Sequence, residues 1–263
     1  MCHPTHSLQC FMVCWADCLG NCESKQSREH VVSENLWLSS TVTVQGFSWC
    51  ADALKDIGIT NLTAKILCRK HNSDLSPVDS SAGDSFATLR EVARLKNVRE
   101  AMKPLRWTVK NYVLDGVMLE RWFLKTLINI AFDGKYPIGS DATVAGRPSE
   151  RLVRIAYRLE SFKGKAGMYT MSRVGMEFAL EDRVSFSPIM ARAPHGEYVV
   201  AGIFVFRGLQ FLVYLEPEGP QDLTGIYFKG EHLVGTTLMF QKLTANIKIG
   251  KHLSHAVKIV RKP

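Results

Sequence analysis

The stretch that decides the fold is Cys68-Arg69-Lys70-His71-Asn72, read together with Ser27-Arg28-Glu29-His30-Val31-Val32. Thiolate and imidazole groups are the preferred ligands of a structural zinc ion, which takes four of them in a tetrahedron. Cys68 and His71 supply one pair of ligands, and the cysteines that precede the second stretch supply another. Two pairs bound to one zinc ion would close the intervening chain into a loop and hold His30 against Asn72. The sequence therefore predicts a zinc-fastened unit in the N-terminal third of the chain.

The seven cysteines are unevenly distributed, and none lies beyond Cys68. Four of them stand at a constant spacing: Cys10, Cys14, Cys18 and Cys22. We prefer Cys14 and Cys18 as the first ligand pair, because their distance from His30 suits a short hairpin. Cys18 and Cys22 are an alternative pair, since the turn-forming residues Leu19-Gly20-Asn21 separate them. A third interpretation is a short helix that carries free thiols along one face.

The composition is ordinary for a soluble globular protein, with 263 residues of which 46% are hydrophobic and 22% are charged. No apolar run reaches the roughly 18 residues that a membrane helix needs. The N-terminus shows no basic segment followed by an apolar one, which a secretory signal would have. We therefore expect a cytoplasmic protein that makes no membrane contact. In a reducing compartment, cysteines serve as metal ligands or buried thiols more often than as disulfides.

The formal net charge of +8 is carried by the later part of the chain. Through Arg90, acidic side chains slightly outnumber basic ones, so the excess of Lys and Arg lies beyond that residue. A basic body attached to a cysteine-rich head suits a polyanionic partner such as DNA or RNA. A charge of this size also occurs in proteins that bind no nucleic acid. The lysine-rich segment 242–262 has the same two interpretations, a phosphate-binding tail or a protected sheet edge.

Hydrophobic periodicity predicts both helices and strands in the first half of the chain. Strands are expected at the Glu29-His30-Val31-Val32 segment and at Thr41–Val44, where residues alternate in character. A turn is expected from Leu75 to Asp79, and helices from Ser85 to about Lys103 and from Asn111 to Phe132. The second helix presents an apolar face that includes Trp122 and Phe123.

The second half of the chain is predicted to be mostly strand. A loop rich in Gly, Pro, Ser and Asp, residues 134–148, suggests a boundary. Strand-like runs follow it, and Arg207-Gly208 between two of them suggests a hairpin. The runs are Leu152–Leu159, Met168–Ser172, Tyr198–Phe206, Leu209–Leu215 and Gly225–Phe228. The predicted fold class is α+β, with an N-terminal finger in residues 1–90, a helical connector in 91–135 and a mostly antiparallel β domain in 136–263.

The N-terminal motifs together resemble those of the HNH endonuclease family. The resemblance covers roughly residues 10 to 85 and rests on the Cys-x-x-x-Cys spacing, on Glu29-His30 and on Leu67-Cys68-x-x-His71-Asn72. It implies a ββα-metal fold, with the structural zinc on Cys14, Cys18, Cys68 and His71. It also implies that His30 is the general base, and that Glu29 and Asn72 hold a catalytic divalent ion, Mg²⁺ or Mn²⁺.

The activity implied by this resemblance is hydrolysis of phosphodiester bonds in DNA, with RNA as an open alternative. A neutral imidazole such as that of His30 is able to take a proton from water. Hard divalent ions prefer oxygen ligands, so sulfur and nitrogen ligands would go to zinc. The cations Lys65, Arg69 and Lys70 flank the motif, where they could contact phosphates or form a solvated face.

A second hypothesis is a non-catalytic zinc module that binds nucleic acid or a protein partner. Homo-oligomer formation is compatible with either hypothesis. Signatures of NTP hydrolysis, zincin proteolysis, esterase chemistry and dinucleotide binding are missing from the sequence. The two hypotheses differ in whether replacement of His30 changes an activity or leaves it unaltered.

Overall fold

Two antiparallel strands and a following helix build the N-terminal unit of the computed structural model. Strand β1 (Gln26–His30) pairs with β4 (Thr63–Cys68), and helix α1 (Arg69–Asp74) begins directly after β4. Cys68 caps this helix, because its sulfur accepts a hydrogen bond from the backbone N–H of His71. The structure describes residues 13–102, 110–170, 181–194, 196–217, 226–228, 231–232, 241–242, 246–249 and 255–260.

A hairpin lies between the two strands of this unit in the sequence and joins a larger sheet. Strand β2 (Thr41–Gln45) pairs antiparallel with β3 (Lys55–Gly58). Strand β2 also runs parallel to the start of β7 (Arg183–Ala193), so the hairpin ties the N-terminal third to the second half of the chain. The strand predicted at Thr41–Val44 is confirmed.

The large sheet is mainly antiparallel and contains nine strands among the described residues. Its centre is β7, β8 (Gly196–Phe206) and β9 (Leu209–Tyr214), followed by β6 (Gly167–Thr170). The short strands β10 (Ile226–Phe228), β11 (Glu231–His232) and β12 (Gln241–Lys242) extend it. Arg207 and Gly208 connect β8 to β9 with φ angles of 49° and 81°. Positive φ at both positions matches the twist of a two-residue hairpin, which confirms that prediction.

The described residues form three further α-helices, and the central one is buried on two faces. Helices α2 (Ser76–Ala101), α3 (Gly116–Ala131) and α4 (Glu150–Ala156) follow one another in the chain. On α3, Phe123 packs on Phe204 and Phe211 of the sheet, with ring centroids 5.0 and 4.7 Å apart. A second stripe, Trp122, Lys125 and Asn129, follows the i, i+3, i+7 spacing of one helix face. This stripe faces the N-terminal unit, as the hydrogen bonds below show.

A third, smaller sheet lies beside α3. Strand β5 (Lys110–Asp115) runs parallel to β14 (His255–Val260), which pairs antiparallel with β13 (Asn246–Ile249). The remainder of the lysine-rich segment 242–262 lies outside the described residues, as do Lys103, Ser172 and Gly225 of the predicted elements. The part of the C-terminal region that is described therefore contributes strands to two sheets.

The sequence misplaced three elements, and each has a local cause. The helix predicted from Asn111 begins at Gly116, because Asp115 accepts hydrogen bonds from two backbone N–H groups there and caps it. The strand predicted at Leu152–Leu159 is wrong, since α4 occupies this place and Ser149 caps it. The turn predicted from Leu75 to Asp79 is instead the start of α2, with Pro77 in its first turn, where proline is tolerated.

One hydrophobic core includes buried residues of all three predicted segments, among them Phe86, Phe123 and Phe204. The boundary predicted at residue 90 falls inside α2. None of the helices in the described ranges combines the length and apolar character that a membrane crossing requires. The core therefore positions the N-terminal unit directly against α3 and the large sheet.

Candidate metal centre and adjoining cleft

Three sulfur atoms and one imidazole nitrogen converge beside helix α1. The ligand atoms of Cys14, Cys22, Cys68 and His71 all lie within 4.8 Å of one another. His71 Nδ1 is 3.3 Å from the sulfurs of Cys14 and Cys68 and 3.5 Å from that of Cys22. Thiolates and imidazole are the donor set of structural zinc sites, so this group could hold a metal ion such as zinc.

The junction of β4 and α1 orients two of the four ligands. Cys68 ends the strand and His71 lies in the first turn of the helix, so both side chains project from one rigid corner. The backbone N–H of Cys68 lies 3.5 Å from the sulfur of Cys14. The hydroxyl of Tyr157 donates a hydrogen bond of 2.9 Å to the carbonyl of His71 and fixes the helix start from outside. These contacts orient Cys68 and His71 relative to Cys14.

The distances suit a tetrahedral zinc ion. Bonds of about 2.3 Å to sulfur and about 2.0 Å to nitrogen place the ligands of a tetrahedron roughly 3.5–3.8 Å apart. Burial lowers the pKa of His71, which favours the neutral imidazole that binds metals. Burial, with the nearby Cys14, raises the pKa of the Cys22 thiol to about 12. A bound metal cation would lower the pKa values of the thiols instead, because metal-bound thiols are deprotonated.

The structure corrects one predicted zinc ligand. Both Cys18 and Cys22 are exposed, but Cys18 lies in the 3₁₀ turn Asp17–Leu19 outside the group, whereas the sulfur of Cys22 belongs to it. Gly20 and Asn21 follow this turn with φ angles of 73° and 54°. Such left-handed conformations reverse the chain and return it to His71 at Cys22. Cys10, the remaining candidate, lies outside the described residues.

We expect serine substitutions at Cys18 and Cys22 to differ in their effect on bound zinc. Cys22→Ser removes a ligand of the group and should greatly reduce the zinc that copurifies with the protein. Cys18→Ser changes an exposed thiol of the same loop and should leave the zinc content at the wild-type level. Elemental analysis after gel filtration measures both. Equal zinc content in the two variants, or loss in Cys18→Ser alone, would contradict the ligand set described here.

A polar cleft of about 490 Å³ lies beside the metal group, where β1 ends and α1 begins. Its walls include His30, Glu29 and Asn72, the three residues that the sequence singled out as catalytic. The other lining residues are Arg28, Ser33, Glu34, Asn35, Ser73, Ser76, Asp79 and Lys125. The chain thus brings together two motifs that are distant in the sequence.

His30 is one of the residues that line this cleft. It is the last residue of β1, and its side chain is 26% exposed. Within the described part of the chain, its Nε2 atom is buried, makes no hydrogen bond and lies 3.7 Å from an oxygen of Glu34. A nitrogen lone pair without a hydrogen-bond donor is able to accept a proton from a bound water molecule.

The side chains predicted to hold a catalytic divalent ion are engaged within the protein. Glu29 is 4% exposed, and its carboxylate contacts the ammonium of Lys125 and lies 3.4 Å from the amide nitrogen of Asn129. Burial raises the pKa of Glu29, although Lys125 opposes the rise. The amide of Asn72 donates a 2.7 Å hydrogen bond to Ser27. As placed, Glu29 does not fit the predicted role as a ligand of Mg²⁺ or Mn²⁺.

Sequence reasoning missed the polar network beneath the cleft. Asp79 accepts hydrogen bonds from Ser33 and Lys125, and the indole of Trp122 donates a 2.8 Å bond to Ser33. Asn129 accepts a 2.9 Å bond from Trp15. The available signal was Lys125 itself, a charged residue within the apolar run of α3 at helical spacing from Trp122.

The cations that flank the motif do not line the cleft. Lys65 and Arg69 are exposed on β4 and at the start of α1. Lys70 forms a 2.6 Å ion pair with Asp74, which raises the pKa of Lys70. Among the basic residues, Arg28 and Lys125 lie in the cleft wall.

No protein family, curated protein or solved structure matches the chain. The site is therefore interpreted from its own geometry.

Proposed function

We propose that the protein is an endonuclease of the HNH type, with a structural zinc ion on Cys14, Cys22, Cys68 and His71. The observation that supports this most directly is the position of His30. It lies at the end of the first strand of a strand–strand–helix unit, in one cleft with Asn72 of the helix. The metal group fastens the same helix to the chain that precedes β1.

The residues of the cleft would serve a hydrolytic step. His30 Nε2 accepts a proton from water while the water oxygen forms a bond to phosphorus. The bond between phosphorus and the 3′ oxygen breaks, and that oxygen takes a proton from solvent. Arg28 lines the cleft and supplies a guanidinium that is able to bind a phosphate oxygen. The products would carry a 3′ hydroxyl and a 5′ phosphate.

DNA is the substrate we propose, and the excess positive charge beyond Arg90 is the feature that supports it. Zinc-loaded wild-type protein should convert supercoiled plasmid into nicked and linear forms, measured on agarose gels with and without added Mg²⁺. A labelled single-stranded RNA of matched length, incubated in parallel, separates DNA from RNA specificity. Persistence of intact plasmid and intact RNA under all conditions would contradict the proposal.

A second candidate function is a zinc module that binds nucleic acid or a protein without cutting. The engagement of Glu29 by Lys125 favours it, because the pair removes an expected oxygen ligand from the cleft. A binding module should retard labelled DNA in a native gel without producing fragments. The plasmid assay and the native gel together therefore distinguish the two candidates.

A further inference from the structure

The ammonium of Lys125 lies on the floor of the cleft between two carboxylates. Lys125 Nζ is 2.7 and 2.8 Å from the two oxygens of Asp79 and also contacts Glu29 Oε1. The Lys125 side chain is 2% exposed, compared with 5% for Glu29 and 23% for Asp79. Three residues from β1, α2 and α3 thus meet at one buried charge.

This arrangement satisfies the lysine completely. An ammonium group has three N–H donors, and three carboxylate oxygens surround this one. Burial alone would lower the pKa of Lys125, but the charges of Glu29 and Asp79 outweigh burial and raise it. Removal of this cation would leave the buried Glu29 and the partly buried Asp79 side by side without a counter-charge, which would lower the stability of the folded protein.

The same carboxylates are two of the three that line the cleft, the third being the exposed Glu34. A divalent ion bound to Glu29 would need an oxygen that already contacts Lys125, and it would be repelled by the nearby ammonium. The ammonium of Lys125 and the carboxylates of Glu29 and Asp79 together carry one negative charge. This group repels a phosphodiester less than two carboxylates without the lysine would. The lysine thus places one positive charge beside the oxygens that a metal ion would need.

We propose that the ammonium of Lys125 is the resident cation of the cleft and excludes a tightly held divalent ion from Glu29. Only the statement about repulsion of a phosphodiester rests on the proposed function, because it assumes that the cleft binds DNA. Its test measures metal binding alone, so the result is independent of whether the protein cuts DNA.

The test is a titration of zinc-loaded full-length protein with Mn²⁺, followed by the electron paramagnetic resonance signal of the free ion. Wild type should show no tight Mn²⁺ site. Lys125→Met keeps the length of the side chain and removes its charge, so it should bind one Mn²⁺ at least about tenfold more tightly than wild type. Glu29→Gln added to this variant should abolish the gain.

Lys70→Met is the matched control, because Lys70 also pairs with a carboxylate but lies at the surface. It should leave Mn²⁺ binding unaltered. Tight Mn²⁺ binding by wild type, at roughly micromolar concentrations, would overturn the proposal and requires no variant. A folded Lys125→Met protein that gains no Mn²⁺ site would overturn it as well.

A charge-matched variant covers the case in which Lys125→Met does not fold. Lys125→Met combined with Asp79→Asn retains the net charge of the group and leaves Glu29 as its carboxylate. This variant should still bind Mn²⁺ more tightly than wild type. Zinc content and the thermal unfolding curve confirm that it is folded, and a folded variant without the gain would contradict the inference.

Discussion

Removal of zinc is expected to lower the melting temperature of the protein by on the order of 10 °C. A ligand that binds only the folded state at about 1,000 times its dissociation constant stabilises that state by about 4 kcal/mol. In a chain of this size, each kcal/mol corresponds to about 2–4 °C. The metal group joins the segment before β1 to the β4–α1 corner, so these elements should lose most of their mutual stability.

The measurement is a calorimetric melt of protein as purified and of protein treated with a chelator and desalted. Addition of one equivalent of Zn²⁺ should restore the original melting temperature. Cys68→Ser removes one zinc ligand and should have the same effect as chelation. The melting temperature of this variant should therefore not change when the chelator is added. A melting temperature that does not change on chelation would contradict the role of the group as a zinc site.

Replacement of His30 by alanine is expected to reduce plasmid cleavage by roughly 100- to 10,000-fold, the range for loss of a general base. The residue lines the cleft at the end of β1, and its Nε2 atom makes no hydrogen bond within the described residues. Its removal should therefore abolish proton acceptance without breaking a hydrogen bond of that nitrogen, whose 3.7 Å contact is with the exposed Glu34. Initial rates of nicking at saturating DNA concentration give the comparison.

Ser73→Ala is a suitable control for His30→Ala. Ser73 also lines the cleft but has no part in the proposed step, so its replacement should alter the rate little. Zinc content and melting temperature should match the wild type in both variants. If His30→Ala cleaved plasmid at the wild-type rate, the assignment of His30 as general base would be wrong.

The sequence predicted the parts of the site that depend on local spacing. Cys68 and His71 lie three residues apart at a strand–helix junction, and the structure places both in the metal group. It also places His30 and Asn72 in one cleft, as the order of the motifs led us to expect. Cys18 was chosen in error because left-handed backbone at Gly20 and Asn21 reverses the chain, and constant cysteine spacing carries no information about that reversal.

The parts that could not be predicted depend on contacts between distant elements. Lys125 reaches Glu29 and Asp79 only because α3 packs beneath both β1 and α2. In the sequence Lys125 is a single charge in an apolar helix, and its partner is decided by tertiary packing. The start of α3 at Gly116 likewise follows from the cap at Asp115, which the apolar pattern of the helix does not reveal.

The position of Lys125 has a consequence for the order in which the protein matures during synthesis. The ribosome completes all four metal ligands, the last of which is His71, well before it reaches α3. Zinc could therefore bind the nascent chain before Lys125 is available to neutralise Glu29 and Asp79. The cleft would acquire its final form only when α3 emerges from the exit tunnel. The N-terminal unit therefore depends on α3, because Lys125 of that helix completes the cleft.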